Sequence, residues 1–210
     1  MTTTHSAPET EISELDSARA AFRAELIDAG LLVPSSIPGL YGRSGEFEDI
    51  IEFVDARVTE AGVAEHGRQA TRFRFAPVFP REAFERTDYI ASFPNLTGAI
   101  NTFEGDNKEH AALLAERSDG KDWDHFLQSA GTMLVSAACH PSYSMLTGTL
   151  PEEGTLMDIY GYCFRHEPAV DPARMQAFRM HEFVRVGTPD DAIAHRERWV
   201  PRGLQVLADL

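Results

Sequence analysis

Apolar side chains return along this chain at two periods, and each change of period marks where helix gives way to sheet. Over residues 11–32, Ile12, Leu15, Ala18, Phe22, Leu26 and Ile27 recur every three or four positions, which predicts a helix ending near Gly30. Pro34 and Pro38 then break the chain. A second helix is expected over residues 47–61, with Phe47, Ile50, Ile51, Val54 and Val58 along one side and Gly62 as its stop. Beyond it, residues 71–76 alternate as a strand does, Pro77 and Pro80 bracket a turn, and residues 81–86 suit a short helix. Residues 89–103 read as strand, turn and strand, followed by helices over 108–117 and around 123–129. The apolar run at 132–138 fits a buried strand.

The last third carries the strongest pattern. Residues 155–167 and 176–186 read as two strands joined by a connection holding Pro168 and Pro172, and the chain from Pro189 onward reads as a helix interrupted at Pro201. Alternation along a strand puts Arg165 and Glu167 on one face. On the returning strand, Phe178, Met180 and Glu182 share one face; Arg179, His181, Phe183 and Arg185 share the other. A wall presenting arginine, carboxylate and an aromatic ring suits a nucleotide, because a guanidinium fork matches phosphate oxygens. The same ladder also reads as plain cross-strand ion pairing. Helices interleaved with sheet place the chain in the α/β (α+β) class.

Composition narrows the partners. The 210 residues suffice for one domain, and 43% hydrophobic content suffices for a core. A formal net charge of -14 argues against gripping a phosphate backbone, which requires basic patches. No apolar run reaches membrane-spanning length, and the opening MTTTHSAPETE lacks the features of a signal peptide; residues 1–10 are expected to be a disordered lead. Cys139 and Cys163 are too few for a disulfide framework, so a reducing, cytoplasmic setting is expected. By pattern alone either cysteine reads as a small buried hydrophobe, while His166 and His181 are expected to satisfy hydrogen bonds around the hairpin.

The order Phe164-Arg165-His166-Glu167, a loop, then Phe178 with Glu182 resembles motif 2 of class II aminoacyl-tRNA synthetases. The longer string CFRHEPAVDPARMQAFRMHEFVRVGTPDDAIAHRERW is similar to the amino acid:carrier-protein ligases, relatives of the atypical archaeal seryl-tRNA synthetases. TDYIASFPNLTGAINTF, the HAALL helix and SAACHPSYSML fit the same family, so the resemblance runs over about residues 70–204.

That resemblance implies a class II synthetase-like antiparallel sheet flanked by helices, filling residues 11–210. It implies that Arg165 binds the ATP α-phosphate and the amino acid carboxylate, that Glu167 contacts the adenine amine with Arg174 and Met175 of the loop, and that Phe178 stacks on the base. Cys139 and Glu182 match two of three zinc ligands, Glu182 also facing the substrate amine. The cofactors implied are Zn2+ and Mg2+ with ATP. The activity implied is activation of a small amino acid as an aminoacyl adenylate and transfer to the phosphopantetheine thiol of a carrier protein, by a homodimer joined near Pro77 and Pro80, without tRNA. The family pattern continues into motif 3, with a second ATP-binding arginine and a third zinc ligand, and neither occurs in these residues. The expectation is therefore a ligase domain incomplete at its C-terminus, with two of three zinc ligands and one of two ATP-binding arginines. A seryl-type tRNA ligase and a non-catalytic remnant stand as the alternatives.

Overall fold

The computed structural model describes residues 13–67 and 69–210; the expected N-terminal lead and the helical positions Glu11 and Ile12 lie outside them. The first helical period becomes α1 (Glu14–Asp28), started by Ser13, whose hydroxyl accepts from the Asp16 N–H, and followed by Gly30 at φ +73°. The proline-broken stretch after it forms a short antiparallel hairpin, β1 (Leu32–Pro34) with β2 (Tyr41–Arg43), in the register Leu32 opposite Arg43. α2 follows as Gly45–His66. It runs through Gly62 instead of stopping there, because the missing side chain admits the Phe183 ring against the helix backbone.

The described residues fall into two compact units. One comprises those up to Glu52 together with Glu167–Gln176, the other Phe53–His166 with Ala177–Leu210. The first holds α1 and the β1–β2 hairpin. The second is built on two three-stranded sheets.

In the first sheet, β3 (Thr71–Phe73) lies parallel to β7 (Thr155–Phe164), which pairs antiparallel with β8 (Ala177–Val186). The second sheet has the order β4 (Val78–Pro80), β6 (Leu127–Leu134), β5 (Ala99–Phe103), antiparallel throughout. The Phe164 N–H donates to the Val135 carbonyl at 2.7 Å and joins the end of β7 to the segment leaving β6. Phe79, Phe84, Met133, Val135, Ala138, Met157, Ile159 and Cys163 are buried together as the core of this unit. The bounded helices are α3 (Arg81–Glu85), α4 (Tyr89–Ser92), α5 (Asn107–Ser118) and α6 (Pro189–Ala208).

Further sequence expectations change, beginning with the strand expected over 132–138, which ends at Leu134 as part of β6. Residues 89–92 form the helical turn α4, not a strand, since Tyr89 and Phe93 are one turn apart and their rings pack 5.4 Å from one another. The helix expected around 123–129 is a 3-10 turn, Asp124–Phe126, that opens into β6. Pairing with β5 overrides local propensity there, and the register shift at Ile100/Asn101 is absorbed near Gly131 at φ +67°. β7 ends at Phe164, so Arg165 and Glu167 lie beyond it and do not share a strand face as expected.

α6 begins in a capping box, Thr188 with Asp191, and carries Pro201 inside it. Trp199 stacks on Phe183 at 4.8 Å and donates through Nε1 to His66 Nε2 at 3.0 Å, fastening α6 to α2 over the outer face of β8. Arg198, exposed on α6, pairs with Glu65 at 2.8 Å beside Arg202.

Candidate active site

The β7–β8 register decides which side chains meet. Cys163 lies opposite Phe178, Gly161 opposite Met180 and Ile159 opposite Glu182. Directly opposed residues of an antiparallel pair point the same way, so Phe178, Met180 and Glu182 face the core side with Ile159 and Cys163. Arg165, just past the strand, turns to that side: its Cζ stands 5.3 Å over the Phe178 ring and its Nε donates to the Ser136 carbonyl at 3.1 Å. A guanidinium held over a ring gains from the ring quadrupole while its remaining N–H groups stay available.

The segment leaving β6 completes the wall. Its 3-10 turn, His140–Met145, is preceded by Cys139, whose N–H donates to Glu182 Oε1 at 3.1 Å. Burial pushes the Cys139 thiol up to about 12; a hydrogen bond from Tyr143 works against that shift, while the Glu182 carboxylate adds to it. Tyr143 is itself pushed above the ordinary phenol range, by burial first and then by Cys139. Burial lowers His140, with the Arg165 charge acting in the same sense and Glu182 opposing. Arg165, Phe178, Glu182 and Cys139 are thus brought to one side of the sheet. Ser136, His140 and Tyr143 join them unannounced: SAACHPSYSML contains all three, but nothing in its spacing singles them out.

Glu167, Arg174 and Met175 belong to the other compact unit. Within it Glu167 and Arg174 form an ion pair, and Arg43 reaches Met175 Sδ at 3.6 Å.

The opposite face of β7–β8 is structural. His181 places Nδ1 at 2.7 Å from Asp55 and Nε2 at 3.2 Å from Asp158, and Arg74 meets Asp158 at 3.1 Å. Phe183 stacks there on Trp199, leaving Phe178 as the ring on the Glu182 side. Cys163 is 3% exposed, a core residue, its thiol pushed up to about 12 by burial and then by Glu182.

A thiol beside a carboxylate is the mixed soft and hard donor pair that zinc accepts. Among the described residues no third histidine, cysteine or carboxylate joins Cys139 and Glu182 to make a cluster. Two donors fall short of the three that a catalytic zinc keeps, so these residues by themselves do not form a complete metal site.

No protein-family model matches the chain. It is 38% identical over 174 residues to Amino acid--[acyl-carrier-protein] ligase 1 of Bradyrhizobium diazoefficiens, covering 82% of this chain and 52% of that one. To ligase 2 of the same organism it is 37% identical over 177 residues, covering 82% and 51%. The chain therefore spans about half the length of the curated relatives it matches. Among solved structures it superposes on M. kandleri SerRS, crystallised in complex with A. aeolicus tRNASec, with TM-score 0.71 and 16% identity over 99% of this chain and 40% of that one. Giardia lamblia prolyl-tRNA synthetase, in complex with prolyl-adenylate, gives TM-score 0.66 and 16% identity over 92% of this chain and 36% of that one. The fold is that of the class II synthetases.

Proposed function

From the homology of this chain to the amino acid:carrier-protein ligases over about half of their length, we propose that it activates a small amino acid with ATP and passes it to a carrier-protein thiol. An oxygen of the amino acid carboxylate attacks the α-phosphorus of ATP; the bond from that phosphorus to the pyrophosphate oxygen breaks, and pyrophosphate leaves. Mg2+ accompanying the ATP would supply charge neutralisation on the phosphates. The phosphopantetheine sulfur, losing its proton, then attacks the aminoacyl carbonyl; the C–O bond to phosphate breaks and AMP leaves.

The observation that carries this reading is the Arg165 guanidinium held over the Phe178 ring on the face that Glu182 shares. Arg165 neutralises the carboxylate and the α-phosphate as negative charge approaches negative charge, a contribution made by positioning and fixed charge. Phe178 offers a stacking surface to adenine; Glu167, Arg174 and Met175, in the other compact unit, are assigned to the adenine amine by the family resemblance alone. Glu182 faces the substrate amine and, with Cys139, offers two donors to a zinc ion. The protein works in the cytoplasm as a homodimer joined near Pro77 and Pro80, and tRNA is not its acceptor.

ATP–pyrophosphate exchange with glycine, alanine or serine tests the first half-reaction, and radiolabel transfer to a phosphopantetheinylated carrier protein or to tRNA tests the second. Exchange that falls about a hundredfold in Arg165→Ala, with transfer to the carrier protein alone, supports the ligase. Transfer to tRNA alone makes the chain a tRNA ligase, and absence of exchange in the soluble chain makes it a non-catalytic remnant.

A further inference from the structure

Gln176 is one of the few polar side chains that this fold buries, at 2% exposure. Burying an amide costs free energy unless its hydrogen bonds are made. Its side-chain amide and its backbone N–H reach successive carbonyls of the turn that joins β1 to β2: Nε2 donates to Pro38 O at 2.7 Å and the backbone N–H to Gly39 O at 2.8 Å. Gly39 stands at φ +79°, and a Cβ built on it would come within 3.2 Å of Gln176 Cγ. A side chain at position 39 would therefore be strained by its backbone and pressed against the amide it serves.

Gln176 closes the loop 167–176, and two further contacts tie that loop to the same N-terminal segment. Arg19 of α1 pairs with Asp171 at 3.1 Å, and Arg43 of β2, its guanidinium 6.0 Å from the Phe47 ring centroid, meets Met175 Sδ at 3.6 Å. The loop is also folded on itself: the Ala173 N–H donates to Asp171 Oδ1 at 2.9 Å and the Arg174 N–H to Asp171 O at 3.0 Å, while Arg174 pairs with Glu167. The turn is stiff in its own right, because Ser35 Oγ donates to Ile37 O at 3.0 Å and accepts from the Ile37 N–H at 3.1 Å. Three anchors spread over six residues leave a ten-residue loop little freedom.

We propose that the N-terminal segment, α1 with the β1–β2 hairpin, is a clamp that holds loop 167–176 in its adenine-reading conformation, with Gln176 as its positioning residue. The inference rests on the reading of Glu167, Arg174 and Met175 as adenine contacts. Gln176 touches no nucleotide; it acts by fixing the residues that do. The segment thereby serves base selection, a task separate from the charge neutralisation carried by Arg165.

Hydrogen exchange and nucleotide titration on the full chain test this together. In Gln176→Ala the Ala173 and Arg174 amides exchange about tenfold faster, as loss of a buried hydrogen bond allows, while amides of β7 and β8 are unchanged. ATP affinity falls about tenfold and GTP affinity stays constant, so the preference for adenine collapses. Arg19→Ala, a surface change that spares folding, accelerates the same loop amides about threefold. Wild-type exchange rates in Gln176→Ala, or an equal loss of ATP and GTP affinity, overturn the clamp. A wild-type chain that binds no ATP sinks the nucleotide reading, and the clamp's role in base selection with it, even where the loop amides respond.

Discussion

At Cys139 the thiol sits beside a carboxylate in a partly buried wall, and both circumstances keep its proton on. Cys163 is held protonated by burial in the core, its thiol likewise up to about 12. A thiol whose folded value lies above its unfolded one contributes stability that is complete below the unfolded value, near 9.0, and lost as pH rises through the folded value. The urea midpoint is therefore expected to hold up to about pH 9 and to fall from there toward 12, less steeply in Cys163→Ala. For Cys139 the expected sign is also set by Glu182: Glu182→Gln removes a charge that disfavours the thiolate and speeds alkylation at pH 8.5 about tenfold. Labelling rates followed by mass spectrometry in a Cys163→Ala background decide it. The two phenylalanines of β8 separate in the same way. Phe178→Leu is expected to weaken ATP binding with little change in melting temperature. Phe183→Ala strips α6 of its stacking partner and lowers stability by about 3 kcal/mol, measured by chemical denaturation.

At the scale of elements, α2 shows what periodicity leaves out. Phe47, Ile50, Ile51, Val54 and Val58 marked the helix, but Gly62 was read as its end because glycine commonly terminates helices. In the structure Gly62 is the point where α2 passes closest to β8, and a Cβ there would run into the Phe183 ring. Gly62→Ala raises helix propensity by about 1 kcal/mol, yet overpacking against an immobile ring costs more. The expected outcome is net destabilisation of about 1–2 kcal/mol, with Gly62→Ala recovered by a second change, Phe183→Leu, in a double-mutant cycle of urea midpoints. Strand ends were as hard to see. The alternation of residues 155–167 runs past Phe164 without a break, and only the turn of Arg165 toward Ser136 O ends the strand. The β1–β2 hairpin gave no alternating signal at all, since each strand is three residues long and Pro34 lies within the first.

For the whole molecule, charge is the most direct constraint. A formal net charge of -14 repels polyanions, and no phosphate backbone is bound non-specifically by such a surface without a basic patch. A gel-shift titration with bulk tRNA at 150 mM salt is expected to show no complex, a buffer concentration at which surface charge is screened over roughly 8 Å; binding there would favour the tRNA-ligase alternative. No helix of the described residues is long and apolar enough to cross a membrane. The relatives in Bradyrhizobium diazoefficiens extend to about twice the matched length.

What the sequence determined by itself was whatever rests on order and parity: the succession of helices and strands in the last third, the family resemblance, and the placing of Phe178 with Glu182 and of His181 with Phe183 on opposite faces. Parity is a local property of an extended backbone, so it is readable without knowing what lies across the sheet. What only the tertiary structure decided was every pairing between distant stretches: Cys139 against Glu182, Arg165 against Ser136 and Phe178, Gly62 against Phe183, and Gln176 against Pro38 and Gly39. These contacts depend on which strand neighbours which and in what register, and burial then sets the protonation of the groups they bring together. No local pattern encodes that choice, because it is made by the packing of the chain as a whole.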